Sequence, residues 1–484
     1  MQLQAFVALL SLLGAANANP ERHARLAKRQ NAGAVVTVGS SSASSTSLSS
    51  GTPTTSFTSS TATALGSPVP TTPVGTTIPP LVNITSGMAT PSTVPLSATY
   101  SAGATPLISG APVLPTPFVF QAADWPTQDQ IAPTDSDEVS EWMEELNGFN
   151  IPDITPTVDG TCVNDPAAAA EAASRGWWTC GGYTRVTDIT ACPNKLTWGV
   201  SFDDGPGFYS MELLDYLASK NMTSTFFVIG SRIVERPQVL VEEYMSGHEI
   251  AVHTWSHRPL TMLTTAQVVA ELGWARKAIK DVIGVTPTLM RPPYGDIDDR
   301  VRAISLAMGM VPVIWTSTGT GATFDTNDWK VPGGVVTGPQ SFATFEAILT
   351  NATYAEHWVG AVRVTLVRLH SFSPRFVVLE HDLYAQTVDL AIGYTLPAAM
   401  NFTPTLTLDS IGHCNGIPST NLYRESNQNA SFPYPNSTSG DTSVPSGSGG
   451  KGSTSATSGT LSNAIMPISM VVASLLAAGG SLLM

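Results

Sequence analysis

Short apolar runs alternate with amphipathic segments through the middle of the chain. These runs predict buried strands at 196–202, 224–229, 249–253, 288–291, 311–315 and 376–380. Between them apolar residues recur at helical spacing, and Thr264 with Gln267 predicts a capping box at the start of one helix. Repeated strand–helix units predict an α/β fold with a parallel sheet. They favour a barrel whose chemistry lies at the carboxyl ends of the strands.

The segments on either side of this region differ from it in composition. Residues 31–132 are rich in Ser, Thr, Pro, Ala and Gly, with almost no charge and no helical period. Such a segment cannot bury enough apolar surface to offset the entropy of ordering it. We therefore predict a disordered, O-glycosylated stalk with a propeptide over 19–159, a globular domain over 160–416 and a Ser/Thr/Gly-rich linker over 417–463.

Both ends of the chain resemble targeting signals. Residues 1–18 contain a short apolar stretch and end in Ala-Asn-Ala, which is typical of a secretory signal peptide. Residues 464–484 are apolar and no basic residue follows them, which favours a GPI signal over an ordinary transmembrane helix. Acceptor sites for N-glycosylation occur at Asn83, Asn221, Asn351, Asn401, Asn429 and Asn436. We expect a secreted glycoprotein, GPI-anchored at the plasma membrane or the cell wall.

Charge and cysteine content exclude some classes of protein. Only 12% of the residues are charged and the net charge is −14, so the chain lacks the basic face that nucleic-acid binding needs. The 4 cysteines have no Cys-x-x-Cys spacing, which argues against a zinc–thiolate site and for disulfides in a secreted protein.

Pairs of polar residues follow two of the predicted strands. Asp203 and Asp204 end the first strand, where alternating side chains let the two carboxylates reach different partners. His253 and His257 follow the third strand, with a spacing that lets both reach one ion. Two imidazoles and one carboxylate form a catalytic metal set that is open to water. Zinc is the first choice, and cobalt or nickel also fits. Taken alone, the two carboxylates could be a solvated turn and the two histidines a surface pair.

Three further segments follow strands and carry polar or aromatic residues. In 291–295 two prolines fix the backbone, Arg291 could pair with a carboxylate, and the Tyr294 N–H could face an oxyanion. The segment 325–329 places a tryptophan beside carboxylates, and His381 ends an apolar run. Taken alone, 291–295 is also compatible with a rigid loop, 325–329 with a capped loop and His381 with a core histidine.

The five segments occur in the order SFDDGP, HTWSH, RPPYG, DTNDW and VVLEH. Together they resemble the motif set of the polysaccharide deacetylase (NodB-like) family, carbohydrate esterase family four. The flanking segments GWWTCGG and HDLYAQTVDLAIGYTLPAA resemble those of fungal chitin deacetylases. The resemblance covers about 160–414 and implies a distorted (β/α) barrel with fewer than eight full units.

The resemblance also implies a role for each matched position. By this resemblance Asp204, His253 and His257 would bind one divalent ion, zinc or cobalt. Asp203 would be the general base, held by Arg291, and His381 would be the general acid, oriented by Asp328. The Tyr294 N–H would donate to the oxyanion, and Trp329 and Leu379 would contact the sugar or the acetyl group.

The activity implied is hydrolysis of N-acetyl groups from the N-acetylglucosamine units of chitin by a monomer, giving chitosan and acetate in fungal cell-wall remodelling. One alternative is deacetylation of another acetylated polysaccharide such as xylan, and a second is a non-catalytic wall glycan-binding protein. The sequence has no Gly-x-Ser-x-Gly elbow, which argues against a serine esterase.

One segment departs from the matched motif pattern, and the pairing of the cysteines is open. The basic segment 362–374 interrupts the approach to the last predicted strand, and we interpret it as an unspliced intron or an error in the gene structure rather than a loop. The cysteines allow three connectivities. We favour Cys192 with Cys414, which would join the start and finish of the barrel, and Cys162 with Cys180.

Overall fold

A parallel sheet forms the centre of the molecule in the computed structural model, which describes residues 77–317, 323–354, 375–429 and 432. Its strands in chain order are β1 (Thr197–Asp203), β2 (Thr225–Val228), β3 (Glu249–Val252), β4 (Leu289–Met290), β5 (Val311–Pro312), β6 (Arg375–Val377) and β7 (Thr407–Ser410). The spatial order is β5-β4-β3-β2-β1-β6, and β7 also pairs with β1. The apolar runs of the sequence thus account for β1 to β6.

Helices connect the strands and cover the sheet. Within the described residues they are α1 (Asp137–Glu144), α2 (Pro166–Ala170), α3 (Ala172–Arg175), α4 (Ser210–Ser219), α5 (Gly230–Glu235), α6 (Pro237–Met245), α7 (Thr265–Ile283), α8 (Asp299–Ala307), α9 (Gly338–Tyr354), α10 (Ala385–Leu390), α11 (Leu396–Met400) and α12 (Ile411–Cys414). The longest, α7, begins with the predicted capping box of Thr264 and Gln267. It ends at Gly284, whose φ of 82° is readily adopted only by a residue without a Cβ.

The sheet curls into a distorted barrel, as predicted. Strand β1 pairs with β2 through its carboxyl-terminal half and with β6 and β7 through its amino-terminal half. The gap between β5 and β6 is bridged by irregular backbone. There the Thr316 N–H donates to the Val377 carbonyl at 3.0 Å and the Leu379 N–H to the Phe324 carbonyl at 2.8 Å. The carboxyl ends of the strands therefore face one common pocket.

The core explains why the strand runs are almost continuously apolar. All seven residues of β1 are buried, because helices cover one face of the sheet and side chains fill the barrel on the other. Trp198, Phe202 and Phe226 are fully buried, and each such side chain contributes roughly 1.5–3 kcal/mol of burial energy. The second half of β1 also contains two buried polar residues, Ser201 and Asp203, and both lie toward the pocket end of the strand.

The described part of the predicted stalk is ordered, which corrects the domain boundary at residue 160. Residues 77–159 lie along the barrel and bury Ile84, Leu114 and Val139 in the core clusters. These apolar residues are scattered among Pro, Ser and Thr without a period, because they pack on a surface that the barrel provides. Disorder was the wrong prediction for this stretch.

The domain also continues beyond residue 416. Tyr423 is fully buried, and its hydroxyl accepts a hydrogen bond from the Ile250 N–H at 3.2 Å. The Arg424 N–H donates to the Thr286 carbonyl at 2.9 Å. The folded unit of the described chain therefore runs from about residue 77 to about residue 429.

The cysteines form the two favoured disulfides. Cys192–Cys414 links the segment before β1 to α12, across 222 residues of sequence, and Cys162–Cys180 closes a loop of 18 residues. The first of these joins the start of the barrel to its finish.

Several expectations fall on residues that the structure does not describe. These are the signal peptide 1–18, the tail 464–484, the acceptor Asn436 and the segment 362–374. The other acceptor asparagines, Asn83, Asn221, Asn351, Asn401 and Asn429, have exposed side chains. Within the described ranges, none of the helices has both the length and the apolar character needed to cross a membrane.

Candidate active site

The end of β1 carries two buried carboxylates, Asp203 and Asp204, and Asp203 lines the pocket. The backbone of Asp203 pairs with the last strand region: its N–H donates to the Glu380 carbonyl at 3.0 Å, and its carbonyl accepts from the Asp382 N–H at 3.1 Å. Asp204 then adopts φ 79°, a left-handed conformation that turns its side chain away from the strand direction. The pair therefore points to two different sets of neighbours.

Asp204 faces two histidines from the segment after β3. Its Oδ1 lies 3.4 Å from His253 Nε2 and 3.1 Å from His257 Nε2. One donor atom from each of these three side chains lies within 4.8 Å of the other two. A carboxylate oxygen and two imidazole nitrogens at this spacing are suited to one divalent cation.

The opposite nitrogens of both rings are engaged by groups behind them. His253 Nδ1 lies 2.8 Å from the Arg291 carbonyl, which can only accept, so this nitrogen carries the ring proton. His257 Nδ1 lies 3.1 Å from the Tyr294 hydroxyl. Burial lowers the pKa of His257, although Asp204 opposes this effect. Such partners orient ligand imidazoles and keep Nε2 available, so these residues fit a metal ion.

Asp203 is held by a buried guanidinium. Arg291 Nη1 donates to Asp203 Oδ1 at 2.6 Å and to the Ser201 hydroxyl at 3.0 Å. The guanidinium stacks over the Phe227 ring at 4.0 Å. Asp203 Oδ2 lies 4.0 Å from His253 Nε2, on the side of the three candidate ligands. One carboxylate oxygen is thus fixed by Arg291, while the other faces the pocket.

The pocket lining also contains a histidine paired with a carboxylate. His381 Nδ1 lies 2.7 Å from Asp328 Oδ1, and the His381 N–H donates to Asp328 Oδ2 at 2.9 Å. Burial alone disfavours the imidazolium, but the charge and the hydrogen bond of Asp328 outweigh it and raise the pKa of His381 to about 10. This ring is therefore a proton donor at neutral pH.

The predicted residues meet in one small cavity of about 60 Å³. Its lining consists of Asp203, His253, His257, Tyr294, Trp315, Asp325, Trp329, Leu379 and His381. Three predicted residues are not part of this lining but contact it: Asp204 through His253 and His257, Arg291 through Asp203, and Asp328 through His381. Trp315 and Asp325 were not predicted as site residues, although Trp315 lies at the end of an apolar run and Asp325 lies in the segment 325–329.

The loop that carries Asp328 is ordered by its own side chains. Asp325 accepts from the Asn327 N–H at 2.7 Å, and Asp328 Oδ1 accepts from the Trp329 N–H at 2.7 Å. Asn327 adopts φ 58°, which reverses the chain between the two carboxylates. Burial raises the pKa of Asp325. The loop thus directs Asp328 to His381 and leaves Trp329 at the pocket mouth.

A candidate cation site beside an Arg-held carboxylate, in one pocket with a histidine of raised pKa, is typical of a class of protein, the metal-dependent hydrolases. Residues 190–313 match the family model described as polysaccharide deacetylase. Chitin deacetylase 1 of Cryptococcus neoformans var. grubii is 50% identical over 362 residues, which cover 74% of this chain and 73% of that protein. The chain belongs to the polysaccharide deacetylase family.

Two further proteins are similar over shorter parts of the chain. The chitin deacetylase of Amylomyces rouxii is 33% identical over 301 residues, which cover 58% of this chain and 68% of that protein. The solved chitin deacetylase of Colletotrichum lindemuthianum aligns with a TM-score of 0.41 and 22% identity, covering 51% of this chain and 100% of that one.

Proposed function

We propose that this protein is a metal-dependent chitin deacetylase that hydrolyses the N-acetyl groups of N-acetylglucosamine units and releases acetate and chitosan. The observation that supports this proposal is that Asp203 and His381 line one cavity together with His253 and His257, two of the three candidate metal ligands. The names of the relatives, which are chitin deacetylases, support the substrate.

In this proposal Asp204, His253 and His257 hold one divalent ion, zinc or cobalt. When bound, the ion would polarise the acetyl carbonyl and acidify a water molecule. The N–H on Nδ1 of His253, directed at the Arg291 carbonyl, leaves Nε2 as a lone-pair donor.

Asp203 is the proposed general base. Arg291 occupies its Oδ1, which fixes the carboxylate and leaves Oδ2 to take a proton from the attacking water. The Tyr294 N–H is the proposed hydrogen-bond donor to the tetrahedral oxyanion. Pro293 and Gly295 flank Tyr294, whose φ of 60° is a left-handed conformation held by the packed loop.

His381 is the proposed general acid, since the departing amine needs a proton when the C–N bond breaks. Asp328 acts as its positioning residue through Nδ1, and Nε2 is the proposed donor of the proton to the nitrogen of the substrate. Leu379 and Trp329 are the proposed contacts for the acetyl methyl group and the sugar ring. Trp315 extends this apolar wall, and the small cavity suits a short acyl group.

We further propose that the chain is secreted as a glycosylated monomer and anchored by a GPI group, with the exposed acceptor asparagines carrying the glycans. Hydrolysis of acetylated xylan is the second candidate, because the apolar wall would also receive an O-acetyl group.

The test is acetate release from an N-acetylglucosamine pentamer, with acetylated xylan in parallel. We expect release from the chitin oligomer, and its loss with a chelator or with Asp203→Asn. Asp281→Asn, at a surface ion pair with Lys277, is the matched control and keeps wild-type activity. Release that survives both the chelator and Asp203→Asn would overturn the proposal, and release from xylan alone would favour the second candidate.

A further inference from the structure

We propose that residues 125–132, here called the strap, are a positioning element of the metal site although they lie far from the motifs in sequence. The strap belongs to the stretch before residue 160 and packs against the segment His253–His257. This inference rests on the proposed metal site. It adds that this segment, here called the ligand loop, keeps its conformation only when the strap is packed against it.

The strap reaches the loop through Trp255, which lies between the two ligand histidines. Trp255 is fully buried, and the ring of Trp125 stacks on it at 5.9 Å with an interplanar angle of 8°. The Trp255 indole N–H donates to the Thr127 carbonyl at 3.3 Å. Across the loop, a Cβ at Gly230 would stand 2.6 Å from the Trp255 ring. The ring is therefore enclosed, with the strap as one of its walls.

A single buried carboxylate connects the strap to the backbone of the same loop. Glu271 Oε2 on α7 accepts from the Trp255 N–H at 3.1 Å and from the Ser256 N–H at 2.8 Å. Glu271 Oε1 accepts from the Ser256 hydroxyl at 2.7 Å and from the Ala132 N–H of the strap at 3.1 Å. The strap thus helps to fix the carboxylate that orients the loop.

The loop needs such support because two of its residues have left-handed backbone conformations. Thr254 has φ 65° and His257 has φ 56°, and both carry a Cβ. Residues other than glycine keep such conformations only when their surroundings enforce them. Within the loop, the Thr254 hydroxyl accepts from the His257 N–H at 3.1 Å. The contacts to Trp255 and Ser256 supply the rest of the restraint.

The strap also holds the chain just beyond His257. The Arg258 guanidinium donates to the Asp129 carbonyl at 3.1 Å, and the Asp129 carboxylate pairs with Arg232 at 3.1 Å. The Gln128 side chain donates to the Ser231 carbonyl at 3.1 Å. The strap therefore bridges the end of the ligand loop and helix α5.

A purely structural role for the strap is the competing explanation, and a second tryptophan separates the two. Trp125 and Trp142 both contact Trp274 on α7, at 5.8 Å and 5.4 Å between ring centroids. Trp125 also stacks on Trp255, whereas the contact recorded for the Trp142 ring is with Trp274 alone among the described aromatic pairs. Truncating either ring should lower stability, but only the Trp125 change should loosen the ligand loop.

The experiment measures the Zn²⁺ dissociation constant of the full chain by competition with a chromophoric chelator, in Trp125→Ala and Trp142→Ala. We expect the constant to rise about 10- to 100-fold in Trp125→Ala, as for other groups that orient ligands, and to change less than about threefold in Trp142→Ala. Thermal melts of the metal-free proteins should fall in both. Equal dissociation constants in the two variants would overturn the inference.

Glu271→Gln is the second variant, and it tests the role of the strap in Zn²⁺ binding if Trp125→Ala does not fold. The amide keeps the size of the carboxylate but offers a donor to the N–H groups of Trp255 and Ser256, so we again expect weaker Zn²⁺ binding. An unchanged constant in this variant would count against the inference. Wild-type protein that binds no Zn²⁺ would contradict the proposed metal site itself.

Discussion

His257 and His381 lie in the same cavity, and both are buried, yet their protonation is set in opposite directions. His257 Nδ1 meets the neutral hydroxyl of Tyr294, and burial lowers its pKa. His381 Nδ1 meets the carboxylate of Asp328, which raises the pKa of His381 to about 10 despite burial. Desolvation opposes the charged ring in both cases. At His257 desolvation outweighs the opposing charge of Asp204, whereas at His381 the charge and the hydrogen bond of Asp328 outweigh desolvation.

In the proposed mechanism the chemistry is divided between a metal half of the pocket, which contains His257, and an acid half, which contains His381. On the metal half, a neutral partner leaves Nε2 with a lone pair for a cation. On the acid half, a charged partner keeps a proton on the ring for a leaving amine. The partner of a histidine is therefore as informative as the histidine itself, and it can be changed by mutation.

The largest effect is expected from the metal half, with Asp204→Asn. The amide oxygen is a weaker ligand than the carboxylate, so Zn²⁺ binding should fall steeply and kcat should drop by about 10³-fold or more, since the ion supplies several kcal/mol to the transition state. Bound zinc per chain and acetate release should decline together. Full activity at low zinc content would contradict the metal half.

Asp203→Asn should distinguish a general base, which affects kcat alone, from a metal ligand, which also affects the zinc content. We expect kcat to fall by about 10²- to 10⁴-fold, the range for loss of a general base, because the amide cannot accept the proton of water. The zinc content should stay near that of the wild type, since Arg291, which also donates to the Ser201 hydroxyl, can still donate to the amide oxygen at this position. A matching loss of zinc would place Asp203 among the ligands instead.

Asp328→Asn should sharpen the acid half through its pH profile. A group with a raised pKa is protonated below that pKa and loses its proton as pH rises through it. Without the carboxylate, the pKa of His381 should fall, so the alkaline limb of kcat should move to lower pH. We expect about a 10- to 100-fold loss of kcat in mildly alkaline buffer, within the range for general acid catalysis, and a smaller loss in acidic buffer. An unshifted limb would argue against His381 as the acid.

Tyr294→Phe should have the smallest effect. It removes the hydroxyl next to His257 Nδ1 but keeps the ring, which packs 4.6 Å from the His257 ring. Zn²⁺ binding should weaken by about tenfold, at the low end for loss of such a partner, and the alkaline limb set by His381 should not move. A shifted limb would mean that the two halves are coupled.

The strands and the pocket end of the barrel could be predicted from short apolar runs and the polar residues directly after them. The roles of the site residues came from the resemblance of the five ordered segments to one family, because each segment alone also fits a purely structural explanation. Trp315 and Asp325 were not assigned to the site, although Trp315 ends an apolar run and Asp325 lies in the segment 325–329, since their place in the lining depends on how irregular backbone closes the sheet between β5 and β6. Strand β7 was missed because Leu408 is its only strongly apolar residue. The strap was missed because its side chains pack on a surface that only the folded barrel creates.

The most direct test of the division between the two halves is ¹⁵N NMR of the histidine rings in Zn²⁺-loaded protein near neutral pH, with resonances assigned from His257→Gln and His381→Gln. The account predicts that His257 is neutral with its proton on Nδ1, while His381 carries protons on both nitrogens. A neutral His381 ring under these conditions would contradict it.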